Sequence, residues 1–236
     1  PGNGPERYLT DLAALAVEQD KTVAALPTND PNEVLGINNR VELANLEDIQ
    51  RKRIREHWML EGVTISDPSS VMIDAGVTVG QDTVLLPNTI LLGNRSIGSN
   101  CEIGPSSVVR NSSVGDDCRV TFSAMENAVM ESGVDVGPFS HLRPGAYLET
   151  GVHIGNYVEV KESRFAAGAV MGHLGYIGDA SIGAKVNVGA GTVTCNYDGK
   201  NKHRTVVEEG ALIGCDTMLV APVTIGAGAI TGAGAV

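Results

Sequence analysis

From Ile73 onward an aliphatic side chain returns at every sixth position, at Ile73, Val79, Leu85, Leu91, Ile97, Ile103 and Val109. Glycine follows three of these seven, as Gly80, Gly98 and Gly104. The phase slips near Val114-Gly115, then resumes through Val136, Leu142, Leu148, Ile154 and Val160. It continues in Ile177-Gly178, Ile182-Gly183, Val188-Gly189, Ile213-Gly214, Leu219 and Ile225-Gly226. A period of six matches neither the 3.6 of an α-helix nor the 2 of an alternating strand. It matches a solenoid with three flat faces, in which one six-residue unit covers one face and three units complete a coil. The aliphatic residue points inward, and the small residue after it lets the chain turn the corner. Coils then stack at about 4.8 Å, the spacing of paired strands. Residues 63–236 are therefore predicted to form a left-handed parallel β-helix of roughly ten coils, a mainly β fold. Composition agrees, because 42% of the chain is hydrophobic, only 4% is aromatic, and there are 29 glycines. Such a core suits thin stacked coils better than a thick β-sandwich.

The segment before the repeat reads differently. Leu9, Leu12, Ala13, Leu15 and Val17 suggest a short helix, Thr22–Leu26 a strand, and the Pro/Asn/Asp-rich stretch 27–32 a turn. From Val41 to Leu60, Leu43, Leu46, Ile49, Ile54 and Trp58 recur near helical spacing with Glu47, Arg51, Lys52 and Arg55 between them. That pattern predicts an amphipathic connector helix. The expected organisation is a short α/β segment over 1–40, a linker helix over 41–62, and the β-helix over 63–236.

A formal net charge of −11 argues against DNA or RNA as partner, since backbone affinity comes from neutralising phosphates. No apolar run is long enough to span a bilayer, and Pro1–Thr10 shows no charged-then-apolar signal pattern. Cys101, Cys118, Cys195 and Cys215 form no C-x-x-C pair. They read as small buried hydrophobes of a reduced, cytoplasmic protein.

Interruptions of a regular solenoid are where loops, and hence chemistry, are expected. One is Ser163–Gly175, disturbed around Phe165-Ala166-Ala167. The other is Thr194–Thr205, which holds the turn formers Asn196, Asp198 and Gly199 and the cations Lys200, Lys202 and Arg204. A basic loop on an acidic chain suits either a small anion or plain solvent. Of the five histidines, His57 falls in the connector helix and His203 in the basic loop. His141, His153 and His173 fall within or beside the solenoid, and His173 lies in G-H-L-G-Y-I-G-D among small neighbours.

Four strings carry a resemblance: G-P-F-S-H-L-R-P-G-A (137–146), V-H-I-G-N-Y-V-E-V-K (152–161), G-H-L-G-Y-I-G-D-A (172–180) and V-N-V-G-A-G-T-V-T-C-N-Y-D-G-K-N-K (186–202). With them the chain resembles the bacterial bifunctional N-acetylglucosamine-1-phosphate uridyltransferase and glucosamine-1-phosphate acetyltransferase family. The likeness runs over nearly the whole chain, and R-Y-L-T-D (7–11) and G-I-N-N-R-V-E-L (36–43) look like the end of that family's first domain and its linker. The resemblance implies a homotrimer in UDP-N-acetylglucosamine biosynthesis, moving acetyl from acetyl-CoA to the amine of glucosamine-1-phosphate. It implies His173 as general base, Arg143 and Lys161 on the sugar phosphate, Tyr176 and Asn187 on the sugar, and Lys202 as a loop lysine reaching the phosphate. Ala190, Asn196, Tyr197, Cys215 and Ala233 match positions around acetyl-CoA. In residues 1–40, Asn38 matches an asparagine that helps hold magnesium and the nucleotide sugar. Magnesium serves only the uridyltransferase half, which this chain is expected not to carry in working form, because the family's Gly-rich nucleotide-binding start is missing.

The chain departs from the family pattern at several positions. Cys215 stands where serine is usual, Gly175 where threonine is common, Ala167 and Val170 where lysines are usual, and the tail stops at Val236. These departures bear on acetyl-CoA affinity more than on reaction type. Two rivals remain at this point: a γ-type carbonic anhydrase, using His141, His153 and His173 around zinc at a subunit interface, and a non-catalytic hexapeptide-repeat scaffold.

Overall fold

The structure, a computed structural model, describes residues 8–236, so Arg7 and the rest of the segment before Tyr8 lie outside the described residues. The six-residue units become strands of only two to four residues, each followed by a corner. Every coil visits three faces in the same order, here A, B and C. Face A runs from Thr64–Ile65 to Leu212–Ile213, face B from Met72–Ile73 to Met218–Val220, and face C from Thr78–Val79 to Val223–Ile225. Each face is a nine-stranded parallel sheet whose neighbours are one coil apart in sequence. The fold is thus the left-handed parallel β-helix expected of a hexapeptide repeat, with nine full coils and the start of a tenth. In that partial coil Ile230 bridges to Leu212, and the Met218 amide donates to Ala235 O.

Pairing is in register, so each inward side chain stacks on its counterpart a coil away: Val120 on Val136, Leu142 on Val160, Leu148 on Phe165. Leu85, Ile103, Leu142, Leu148, Ile154 and Phe165 are completely buried in this way. Each such side chain contributes about 1.5–3 kcal/mol relative to exposure. The phase slip near Val114 is a real shortening. Five residues rather than six separate the inward positions Val109 and Val114, and the same holds for Val120 and Met125, Met125 and Met130, Val160 and Phe165, and Ile177 and Ile182. Four of these five shortened steps turn from face B to face C, and the step from Val120 to Met125 turns from face A to face B.

Ser163–Gly175 is therefore not a loop. Arg164–Phe165 and Val170–Met171 are in-register strands, and the disturbed phase reflects one short step with Phe165 filling the core. The second interruption is a loop. Thr194 is an inward but polar residue whose Oγ1 accepts from the Gly178 amide at 2.7 Å, and the insertion leaves the coil just after it.

The described chain divides into two compact units between Ile49 and Gln50. Helix α1, Asp11–Glu18, and a 3-10 turn over Pro31–Val34 belong to the first. Thr22–Leu26 is not a strand: it pairs with no described strand and leaves Val23 and Leu26 exposed. Helix α2, Arg40–Leu60, starts at a reciprocal cap. Asn39 Oδ1 accepts from the Val41 and Glu42 amides at 3.0 Å, and Glu42 reaches back to the Asn38 amide at 2.6 Å. In the second unit, Ile54 and Trp58 of α2 pack on the β-helix core and Arg55 Nη1 donates to Val71 O.

Candidate active site

Residues one position beyond a strand sit at its corner, and consecutive coils stack these corners into edges. Two edges, on either side of face B, carry nearly all the candidate residues within the β-helix. The edge between faces B and C is cationic. Arg143 follows the strand His141–Leu142, and its Nη1 lies 2.5 Å from Glu159 Oε1. That hydrogen bond holds the guanidinium firmly protonated and raises its pKa. Lys161 closes the strand Val158–Lys161, and Lys202 descends from the inserted loop beside it. The neighbouring Lys202 ammonium lowers the pKa of Lys161, because two like charges at one place disfavour each other. Crowded cations of this kind suit a dianion such as a phosphate monoester.

The loop holds itself together. Tyr197 and Lys202 form an antiparallel bridge, and Asp198 accepts from the Lys200 and Asn201 amides at 2.8 and 2.7 Å. Its other oxygen pairs with His203 Nε2 at 2.6 Å. The Asn201 amide and His203 together hold the Asp198 carboxyl well below the usual carboxylate range. Asp179 anchors the loop to the coil beneath: Oδ2 accepts from Asn196 Nδ2 at 2.5 Å and lies 3.8 Å from Lys202 Nζ. Tyr176 lies on face B between these parts. Its hydroxyl passes so close above Gly178 that a Cβ there would stand 2.2 Å from it, and Asn196 Nδ2 would be 2.8 Å away. Only glycine allows that approach.

The edge between faces A and B is built of small residues. His173 occupies the bend between Val170–Met171 and Gly175–Gly178, is exposed, and has no hydrogen-bond partner among the described residues. Ala190, Cys215 and Ala233 continue its column one coil at a time. The Asp216 amide donates to Ala190 O, and the Gly234 amide to Cys215 O. Gly189 and Gly214 precede the column so tightly that a Cβ would meet Cys215 N at 2.6 Å and Ala233 N at 2.8 Å. Asn187 faces outward on face A of the Ala190 coil, in register with Val170 and Leu212. The stack from His173 to Ala233 is about 14 Å long at one strand spacing per coil.

The structure thus brings Arg143, Lys161, Tyr176, Asn196, Tyr197 and Lys202 to one side of face B. It brings His173, Asn187, Ala190, Cys215 and Ala233 to the other. The five residues from His173 to Gly178 separate the two edges by roughly 16 Å along the strand. Glu159 and Asp179, which position Arg143 and Lys202, escaped the sequence reading. Each is one carboxylate in an ordinary outward or corner position, and only pairing across coils reveals its partner. His141, His153 and His173 stand apart, on face B, face A and the A/B edge. His153 Nδ1 is 3.0 Å from Asp135 Oδ2, whereas His141 Nε2 is buried without a partner among the described residues. No group of three His, Cys, Asp or Glu side chains among the described residues is arranged to hold a metal ion.

Asn38 lies in the first unit, and its carboxamide donates to Glu42 at 3.2 Å as part of the α2 cap. Magnesium requires near-octahedral oxygen donors. One amide and one carboxylate already engaged in a cap do not fit it. No helix among the described residues is long and apolar enough to cross a membrane.

Known proteins with the same pattern are numerous. The family model "Bacterial transferase hexapeptide (six repeats)" matches residues 76–111. The Bifunctional protein GlmU of Carboxydothermus hydrogenoformans is 49% identical over 229 residues, which are 97% of this chain and 51% of that protein. Its namesake in Exiguobacterium sibiricum is 48% identical over the same shares. The one in Thermodesulfovibrio yellowstonii is 46% identical over 98% of this chain and 52% of its own. The chain spans about half the length of these relatives.

Proposed function

From the premise that this chain is a homologue of the bifunctional GlmU proteins spanning about half their length, we propose that it is their acetyltransferase part. In this reading residues 63–236 are the catalytic domain, 41–62 a linker helix, and 1–40 the end of a nucleotidyltransferase domain. The protein works in the cytoplasm as a homotrimer. Its substrates are acetyl-CoA and glucosamine-1-phosphate, and its product is N-acetylglucosamine-1-phosphate. The observation that carries the reading is the pair of edges: an unengaged imidazole heading a column of small residues, opposite a cluster of cations.

The extended pantetheine arm of acetyl-CoA lies along Ala190, Cys215 and Ala233, where no bulky side chain intervenes, with Asn196 and Tyr197 contributing from the loop. The sugar phosphate is gripped by Arg143, Lys161 and Lys202, and Tyr176 and Asn187 orient the ring. The amine attacks the thioester carbonyl, forming the C–N bond, and the tetrahedral intermediate collapses by breaking C–S. His173 takes the amine proton as the bond forms and returns a proton to the departing thiolate. Most of the acceleration comes from holding amine and thioester together, with general-base catalysis adding about 10²–10⁴-fold.

A sugar phosphate is much shorter than the roughly 16 Å between the two edges. The base and the phosphate clamp of one chain therefore serve different sugars. A second copy must bring its cationic edge to the first copy's His173, which is why the reading includes a closed trimer. The test is thiol release from acetyl-CoA in the presence of glucosamine-1-phosphate. The expected result is sugar-dependent release that falls 10²–10⁴-fold in His173→Ala, mainly in kcat. A wild-type chain that binds both ligands but releases no thiol would instead be a scaffold whose chemistry has decayed.

A further inference from the structure

The cationic edge brings three cations together but matches only two of them with carboxylates. Arg143 is paired with Glu159 at 2.5 Å, and Lys202 lies 3.8 Å from Asp179. Lys161 stands between them and has no carboxylate in ion-pair contact among the described residues. Its neighbour Glu162 reaches down the edge instead, where a Cβ on Gly145 would stand 2.6 Å from Glu162 Oε2. The register places Gly178 over Lys161. With no side chain above it, Lys161 leaves room into which Lys202 descends, and the two amines come within hydrogen-bonding reach. A lysine ammonium donates but cannot accept, so a hydrogen bond between two amines requires one of them to carry a lone pair. Asp179 keeps the proton on Lys202, which leaves Lys161 as the free amine.

A free amine is the group with which an acetyl thioester reacts. A lysine beside another cation is one of the ways in which proteins make such a nucleophile. On the sugar phosphate, the amine and the phosphate occupy adjacent ring carbons. Groups that hold the phosphate are therefore close to the thioester. When the sugar is absent, a flexible four-carbon side chain can cover the remaining gap. When the sugar is present, its phosphate supplies the negative charge that the edge lacks. Lys161 then regains its proton and is no longer a nucleophile.

We propose that Lys161 is a self-acetylation site, whose Nζ takes the acetyl group from bound acetyl-CoA when no sugar phosphate is in place. The lone pair on Nζ attacks the thioester carbonyl, so that the C–N bond forms and the C–S bond breaks. CoA leaves as a thiolate and picks up the proton that the new amide sheds, so the step needs no other reactant. Acetyl-lysine carries no charge, and the clamp is left with Arg143 and Lys202. A chain starved of sugar thus converts itself to a form with a weaker hold on the sugar phosphate. The inference rests on the acetyltransferase reading and adds to it a second acceptor at the same site.

The test incubates the intact chain with acetyl-CoA and maps acetyl-lysine by peptide mass spectrometry. A parallel sample contains N-acetylglucosamine-1-phosphate, which carries the phosphate but no reactive amine and so does not consume the acetyl donor. Thiol release with glucosamine-1-phosphate is measured on the same preparation. The exposed Lys21, Lys52, Lys185 and Lys200 serve as internal reference. Lys161 is expected to be acetylated at least about tenfold faster than these, and the sugar phosphate is expected to remove the difference. Lys202→Met should slow the labelling of Lys161 about tenfold, the change in free amine that one pKa unit gives. Labelling spread evenly over the six lysines overturns the proposal, and so does labelling of Lys161 that the sugar phosphate leaves unchanged. Thiol release to glucosamine-1-phosphate without any acetyl-Lys161 overturns it too, and leaves the acetyltransferase reading standing. Preferred, sugar-suppressed acetylation of Lys161 in a chain that releases no thiol to glucosamine-1-phosphate supports the site and removes that reading. If Lys202→Met does not fold, the suppression in the wild type decides.

Discussion

The residues that matter most here are held by carboxylates. Glu159 fixes Arg143, Asp179 fixes Asn196 and Lys202, and Asp198 fixes the turn of the basic loop. Asp198 shows what pH should do to this arrangement. Its pKa is lowered in the folded chain, so its contribution is fully present above the ordinary aspartate range. That contribution is lost only as pH falls through the lowered value. Amide exchange in Lys200–Arg204 should thus show no loosening attributable to Asp198 between neutral pH and pH 5 once the intrinsic exchange rate is removed. Asp198→Asn should loosen the same amides already at neutral pH. Because Lys202 rides on this loop, the Michaelis constant for the sugar phosphate should rise up to roughly tenfold with kcat nearly kept, the mark of lost uniform binding. An unchanged loop in that variant would show that the Tyr197–Lys202 bridge suffices. The roles proposed for His173, Arg143 and Lys161 came from the resemblance and not from the spacing of the residues. Spacing alone did not distinguish His173 from His141 or His153, since what sets it apart is its place at a corner column of small residues.

At the scale of elements, the six-residue period over Ile73–Val109 was enough to read three faces, inward aliphatic columns and parallel stacking. The five-residue steps were legible only as disorder in the pattern, which is why Ser163–Gly175 read as a loop. A corner can absorb one missing residue while the next inward side chain keeps its register, and no periodicity count sees that. Thr22–Leu26 failed for the opposite reason, because β-propensity without a partner strand does not make a strand. Phe165 closes one of the short steps and is completely buried. Phe165→Ala should cost about 3–5 kcal/mol in denaturant unfolding. A loss under about 1 kcal/mol would show that neighbouring coils close over the gap. The basic loop was legible as an insertion because its cations and turn formers break the period. Its anchoring by Asp179 was not, because Asp179 lies seventeen residues from Asn196 and one coil below it.

For the whole molecule, the central claim is that one active site needs two copies, the imidazole from one and the phosphate clamp from its neighbour. Face B separates the two halves in every chain. The most direct test is subunit mixing. His173→Ala and Lys161→Ala are each expected to be nearly inactive at low sugar concentration. In randomly mixed rings of three, an interface is intact when a copy retaining His173 is followed by a copy retaining Lys161, which holds for about one interface in four. Co-refolding equal amounts of the two variants should therefore restore about a quarter of wild-type thiol release. A mixture no more active than its parents, in rings shown to have exchanged subunits, would place base and clamp in the same chain and contradict the shared site.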